Sequence, residues 1–152
     1  SQERNMRAGT ENMSGIVGLA KAMELAYSDV GGHFAYITEL RRYMLAGLRS
    51  IYPEIKLNGV EDPELYLPTV LNVCFPSSVD HSMYIMKLDI HGVSVSGGSA
   101  CSSGSQVGSH VLACIGVPDN SACVRFSFSR KTDKADLDYA LSVIKRLKDS
   151  LH

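Results

Sequence analysis

Residues 122–128 alternate without a break: Ala122, Val124, Phe126 and Phe128 fall on one side of an extended chain, and Cys123, Arg125 and Ser127 on the other. A strand of this kind needs cover on one face only. The rest of the chain supplies that cover as segments of helical period. Strands separated by helices and short loops make the expected fold α/β (α+β), a small mixed or antiparallel sheet with helices on one face.

The helical segments can be placed by their apolar stripes and caps. Thr10 is positioned to cap a helix over 11–27, with Met13, Ile16, Val17, Ala20 and Met23 on one stripe and a break at Gly31-Gly32. A second helix over 34–51 carries Ile37, Leu40, Met44, Leu48 and Ile51. Ile55 and Leu57 alternate in a short strand, and 69–75 reads as a buried strand ended by Pro76. Ser78 opens a third helix with Val79, Met83, Met86 and Ile90 inward and Gly92 at its end. A short strand over 93–95 and a short helix over 107–115 follow. Thr132 is placed to cap a last helix with Leu137, Leu141, Ile144, Leu147 and Leu151 inward.

Size and charge narrow the function. A chain of 152 residues suits a single domain, 1–152, that buries roughly two-thirds of its unfolded surface. The formal charge is −1 with no basic block, which argues against nucleic-acid binding. No apolar run approaches the ~18 residues of a membrane span, and no signal peptide opens the chain. Cysteines stand at 74, 101, 114 and 123, none in a C-x-x-C pair, so no metal site is expected. Without a secretory signal they read as free thiols in a reducing cytosol.

Three places carry possible chemistry. The first is the segment 96–105, Ser-Gly-Gly-Ser-Ala-Cys-Ser-Ser-Gly-Ser, with Cys101 near its centre. Such small residues add little to a core, and glycine there loses much backbone freedom on ordering. They suit a loop that moves or approaches a ligand closely, and they put the Cys101 thiol on an accessible arm. Cysteine elsewhere is mostly buried and inert, which suits Cys74 and Cys114. No P-loop pattern is present, and Val107 stands where a cysteine phosphatase would need its arginine. Arg125 is the second place: a mid-strand guanidinium is either paired in a structural salt bridge, wetted, or poised to grip a carboxylate with two parallel bonds. The third is Arg7-Ala8-Gly9-Thr10-Glu11-Asn12, where Thr10 at a helix start is either a plain cap or a phosphate contact.

Taken in order, these segments resemble the C-terminal part of cysteine desulfurases, pyridoxal 5′-phosphate enzymes of the class V aminotransferase group. The likeness rests on Arg7-Ala8-Gly9-Thr10-Glu11-Asn12, on Gly98-Ser99-Ala100-Cys101-Ser102-Ser103-Gly104-Ser105, on Ser109-His110-Val111-Leu112 and on Arg125-Phe126-Ser127-Phe128-Ser129-Arg130. It runs over essentially the whole chain, with one departure: Val107-Gly108 stands where the family often has Glu-Pro.

The resemblance implies the small C-terminal domain of such an enzyme. Cys101 would take sulfur from L-cysteine as a persulfide, Arg125 would bind the substrate carboxylate, and Thr10 would contact the cofactor phosphate across a homodimer interface. The sulfur would pass to an acceptor protein such as an iron–sulfur scaffold. The family's Schiff-base lysine, in a Ser-x-His-Lys segment, has no counterpart in this sequence, so the chain alone is expected to be catalytically incomplete. A selenocysteine lyase, a non-catalytic docking or dimerisation domain, and a thiol hydrolase pairing Cys101 with His110 are the competing readings.

Overall fold

The computed structural model describes residues 8–79, 81–97, 109–118 and 121–150, with the backbone alone for His81 and Ser82. Two compact units make up the chain, Ser1–His33 and Phe34–His152.

In the first unit, helix α1 spans Met13–Tyr27 and starts two residues later than the sequence suggests. Its cap is Asn12, not Thr10: Asn12 Oδ1 accepts from the Gly15 amide at 3.0 Å. An Asn carbonyl satisfies an orphan N–H of the first turn at least as well as a Thr hydroxyl does. None of the α1 side chains is buried, although Met13, Ile16, Val17 and Met23 are apolar. The break after α1 falls at Ser28 and Asp29, not at Gly31-Gly32. Asp29 Oδ1 accepts from Gly32 N at 2.9 Å, so the two glycines become the first turn of α2, Val30–Ile51. A Cβ on Gly32 would meet the Asp29 carboxylate, which would have to turn aside.

The second unit is a one-sided sheet. Strands β1 (Lys56–Leu57), β2 (Val70–Cys74) and β3 (Cys123–Ser127) are antiparallel, in the order β1-β2-β3. Leu71, Val73, Val124 and Phe126 project into the core, where Leu40, Met44 and Leu48 of α2 meet them. Helix α3 (His81–Ile90) adds Tyr84 and Leu88, and α5 (Lys134–Asp149) adds Leu137, Ala140, Val143 and Ile144. Burying each large side chain here stabilises the fold by roughly 1.5–3 kcal/mol. Helices on one face of a small antiparallel sheet is the architecture the alternation at 122–128 calls for. A short helix α4, His110–Cys114, is capped by Ser109.

Several details differ from the sequence reading. The inward face of α3 is Tyr84 and Leu88; Met83, Met86 and Ile90 are exposed. A ten-residue helix has room for two apolar stripes, and periodicity alone does not choose between them. Gly92 closes α3 with φ 76°, Val93 N bonding back to Leu88 O, as expected of a helix-ending glycine. Helix α5 is capped by Asp133 rather than Thr132, through a reciprocal box with Asp136. No strand forms over 93–95; instead Ser96 makes an isolated bridge to Arg125.

The expectation of free thiols fails for two cysteines. Cys74 and Cys123 are register partners, with Cα atoms 4.0 Å apart, and their sulfurs are bonded. The 49 residues between them hide this pairing from the sequence. Cys114 is free as expected but exposed, not buried as the sequence reading has it, because α4 buries none of its side chains.

Candidate functional site

The open face of the sheet carries polar residues in rows. Phe75 N bonds Ala122 O at 2.9 Å, and Phe128 N bonds Thr69 O at 2.8 Å. The intervening alternation makes Cys74–Cys123 and Asn72–Arg125 non-hydrogen-bonded pairs, where facing side chains come closest. On the β1 side, Asn58 N bonds Asn72 O at 2.9 Å, and Asn58 Nδ2 donates to Asn72 Oδ1 at 2.7 Å. Beyond β3, Arg125 and Ser96 exchange both backbone bonds, 2.7 and 3.2 Å. One continuous row therefore crosses the sheet: Asn58, Asn72, Arg125, Ser96.

Within that row Arg125 is half-buried, and its Nε donates to Ser96 Oγ at 3.0 Å. Among the described residues no carboxylate forms an ion pair with it, so the structural salt bridge considered from the sequence is not made there. One of the five guanidinium N–H donors is thus committed to Ser96, and the four on the terminal nitrogens form an end-on fork that fits a carboxylate.

Gly97 follows Ser96 directly. A Cβ at Gly97 would collide with Ile85 Cδ1 and lie 3.4 Å from Cys123 O. Gly97 therefore packs against the Ile85 side chain of α3 at the edge of β3, where the sequence suggested loop mobility or a ligand. The bridge and this contact anchor the entry to the segment 96–105 beside Arg125. Cys101 lies outside the described residues.

Thr10 is exposed in the first unit, next to Gly9, whose φ is 96°. With Asn12 serving as the cap of α1, the Thr10 hydroxyl is spared that role. His110 is exposed at the start of α4. Among the described residues no cluster of potential metal ligands occurs, and no helix is long and apolar enough to cross a membrane. A cleft of about 420 Å³ opens elsewhere, lined by Val93, Phe126, Phe128, Thr132 and Tyr139. It is on the other side of β3 from Arg125.

Two features escaped sequence reasoning. Ser96 read only as one small residue among ten, and nothing local marks it as the partner of Arg125. Arg41 is buried on α2, donating from Nε to Val70 O at 3.2 Å, its guanidinium 3.7 Å from the Tyr66 ring centroid. Its place in an apolar stripe (Ile37, Leu40, Met44) was the available signal.

The chain is similar to known proteins over nearly its whole length. The model of the family "Aminotransferase class-V" matches residues 1–140. The chain is 41% identical over 153 residues to the cysteine desulfurase IscS of Dictyoglomus turgidum, and 39% over 155 residues to a cysteine desulfurase of Sinorhizobium fredii. Those alignments cover 99% and 98% of this chain but only 38% and 39% of the relatives. Among solved structures, a NifS-like protein from Rickettsia africae superposes with a TM-score of 0.79 at 26% identity, over 97% of this chain and 38% of that one. A second NifS-like protein gives 0.80 at 29%, over 98% and 37%.

Enzymes of this family depend on pyridoxal 5′-phosphate. In the first unit the Thr10 hydroxyl is not used as the helix cap, so its chemistry fits a phosphate contact. With the family model matching residues 1–140 and the sequence and fold likenesses in agreement, the chain belongs to the class-V aminotransferase family.

Proposed function

We propose that this chain is the C-terminal small domain, residues 1–152, of a pyridoxal-phosphate-dependent cysteine desulfurase that converts L-cysteine to L-alanine. The observation that carries the reading is Arg125, fastened at Nε by Ser96 with its terminal nitrogens unclaimed by any carboxylate of the described residues. The likeness to enzymes named cysteine desulfurase supports it.

In this reading the Arg125 fork holds the substrate α-carboxylate and so orients the amino acid. The Thr10 hydroxyl donates to the cofactor phosphate of a neighbouring subunit in a homodimer. The bound cofactor supplies an electron sink that makes the substrate carbon–sulfur bond breakable. The Cys101 thiolate attacks the substrate sulfur and keeps it as a persulfide. Ser96, five residues before Cys101 in the sequence, is hydrogen-bonded to Arg125, which supports a thiol and a carboxylate clamp that work together. The persulfide then passes to an acceptor protein such as an iron–sulfur scaffold, in the cytoplasm. The cofactor-linking lysine would come from a part of the enzyme outside these 152 residues.

The test is sulfide and alanine production from L-cysteine by a protein of the relatives' full length, compared with its Cys101→Ala variant and with this chain alone. The full-length protein should turn over. The variant should keep its bound cofactor absorbance and lose sulfur transfer, and the chain alone should be silent. Turnover by the chain alone would refute its incompleteness. Retained activity in the variant would point to another class-V chemistry, and a preference for selenocysteine would identify a lyase of that substrate.

A further inference from the structure

The open sheet face holds a second group with chemistry of its own, two residues from Arg125. Cys74 and Cys123 face each other at a non-hydrogen-bonded site, Cα to Cα 4.0 Å, with their sulfurs joined. The Asn58 side-chain amide lies over them: Nδ2 is 2.9 Å from Cys74 Sγ and 3.5 Å from Cys123 Sγ. The same nitrogen donates to Asn72 Oδ1, and Asn72 is the register partner of Arg125. Asn58 therefore touches both the sulfur pair and the row that ends at the guanidinium.

The surroundings favour exchange at sulfur. Lys56 is the register partner of Cys74, and Arg125 shares the face of Cys123. Cations and an amide donor stabilise the negative sulfur that must form when a disulfide is attacked. Both cysteines are only 6% exposed, so attack needs local opening. The cover on one side is β1, an edge strand of two residues, the least costly part of a sheet to lift.

We propose that Cys74 and Cys123 form a reversible thiol–disulfide couple, exchanging with low-molecular-weight disulfides of the cystine type and coupled through Asn58 and Asn72 to Arg125. The choice of cystine rests on L-cysteine being the substrate; the couple itself does not. In the oxidising direction one protein thiolate attacks a cystine sulfur and releases one cysteine thiolate. The second protein thiolate attacks the mixed disulfide and releases another. The sum is protein dithiol plus cystine giving protein disulfide plus two cysteines. Each proton lost by a protein thiol is gained by a departing cysteine. A bond that closes when the substrate pool is oxidised ties β2 to β3 beside Asn58 and resets the row that aligns the carboxylate clamp.

The test equilibrates this chain at graded cystine and cysteine concentrations, quenches it, and alkylates it for peptide-resolved mass spectrometry. Cys74 and Cys123 should become protected together in one transition, from about a tenth to nine-tenths protected over roughly a hundredfold change in [cystine]/[cysteine]². Cys114 should show no such paired protection. Protection at every ratio would make the bond purely structural, and labelling at every ratio would mean that it does not form; either overturns the proposal. With Cys123→Ser, Cys74 should accumulate as a mixed disulfide with one cysteine, and its absence would rule out exchange at that sulfur. The wild-type titration stands even if that variant fails to fold. For the coupling, the ¹⁵N–¹H signal of Arg125 Nε should shift between the two states, and an unmoved signal would sever the link to the clamp. Neither readout needs desulfurase activity, so a failure of that reading is separately visible.

Discussion

Arg125 and Ser96 are held together three times: by both backbone hydrogen bonds of an isolated bridge, and by the 3.0 Å bond from Arg125 Nε to Ser96 Oγ. The pairing sets the direction in which the guanidinium points. It also ties the entry of the cysteine-bearing segment to the strand that carries Arg125.

On the proposed function, removing the side-chain part of that contact should weaken substrate binding in the full-length protein. Ser96→Ala should raise the KM for L-cysteine about five- to tenfold, the equivalent of roughly 1–1.5 kcal/mol for a hydrogen bond to a charged group, with a smaller change in kcat. Ser96→Thr should restore most of it. Arg125→Ala should cost more than Ser96→Ala, and an unchanged KM in steady-state assays would return Arg125 to a structural role.

Labelling should separate the cysteines. Alkylation of the non-reduced chain should reach Cys101 first and the exposed Cys114 more slowly, while Cys74 and Cys123 stay protected until a reductant is added. Equal rates at Cys101 and Cys114 would argue that the sequence around Cys101 confers no special access.

Among the described residues, the buried hydroxyls of Tyr52 and Tyr84 have no partner at full hydrogen-bond geometry and interact with each other. Deleting a buried polar group so poorly satisfied is neutral or favourable, so Tyr84→Phe should leave stability unchanged or raise it by about 1 kcal/mol. Urea unfolding measures this directly; a loss of stability would show that the hydroxyl makes a full hydrogen bond.

The same burial pushes both phenols above their ordinary value of 10.0, Tyr84 far above it. Below that pH the folded and unfolded states both keep the proton and the fold has its full stability. Above it the unfolded chain loses the proton more readily, so stability falls as pH rises, by up to about 1.4 kcal/mol per pH unit for one phenol. Urea midpoints between neutral and strongly alkaline pH should show the decline, and Tyr84→Phe should flatten it.

At the start of α5, Asp133 accepts from Asp136 N at 2.9 Å while Asp136 returns a bond from the Asp133 amide at 3.1 Å. Asp133→Ala should destabilise the chain by about 1 kcal/mol, read as a lower urea midpoint with an unchanged slope. Thr132→Ala should cost less, because Thr132 instead accepts from the Ser129 amide in the preceding turn.

Much of this protein could be read from its residues in order. Alternation at 122–128 is a local property, set by the two-residue period of an extended chain. From it follow the strand, its apolar face, the helical cover and the outward place of Arg125. The stripes of α2 and α5 and the glycine ending α3 are legible for the same reason, since helical period and left-handed φ are properties of neighbouring residues. The motifs around Thr10, Cys101 and Arg125 pointed to the family that the whole-chain matches then showed. Cap choice between Thr10 and Asn12, or Thr132 and Asp133, was not legible, because adjacent polar residues compete within tenths of a kcal/mol. What only the tertiary structure decided are the cross-strand pairs. Residues 72 and 125, 74 and 123, 96 and 125 meet because three segments align in register, and register is fixed by which faces bury apolar surface, not by anything within each segment. That is why two of the expected free thiols are bonded, and why the partner of Arg125 is a serine in a glycine-rich loop.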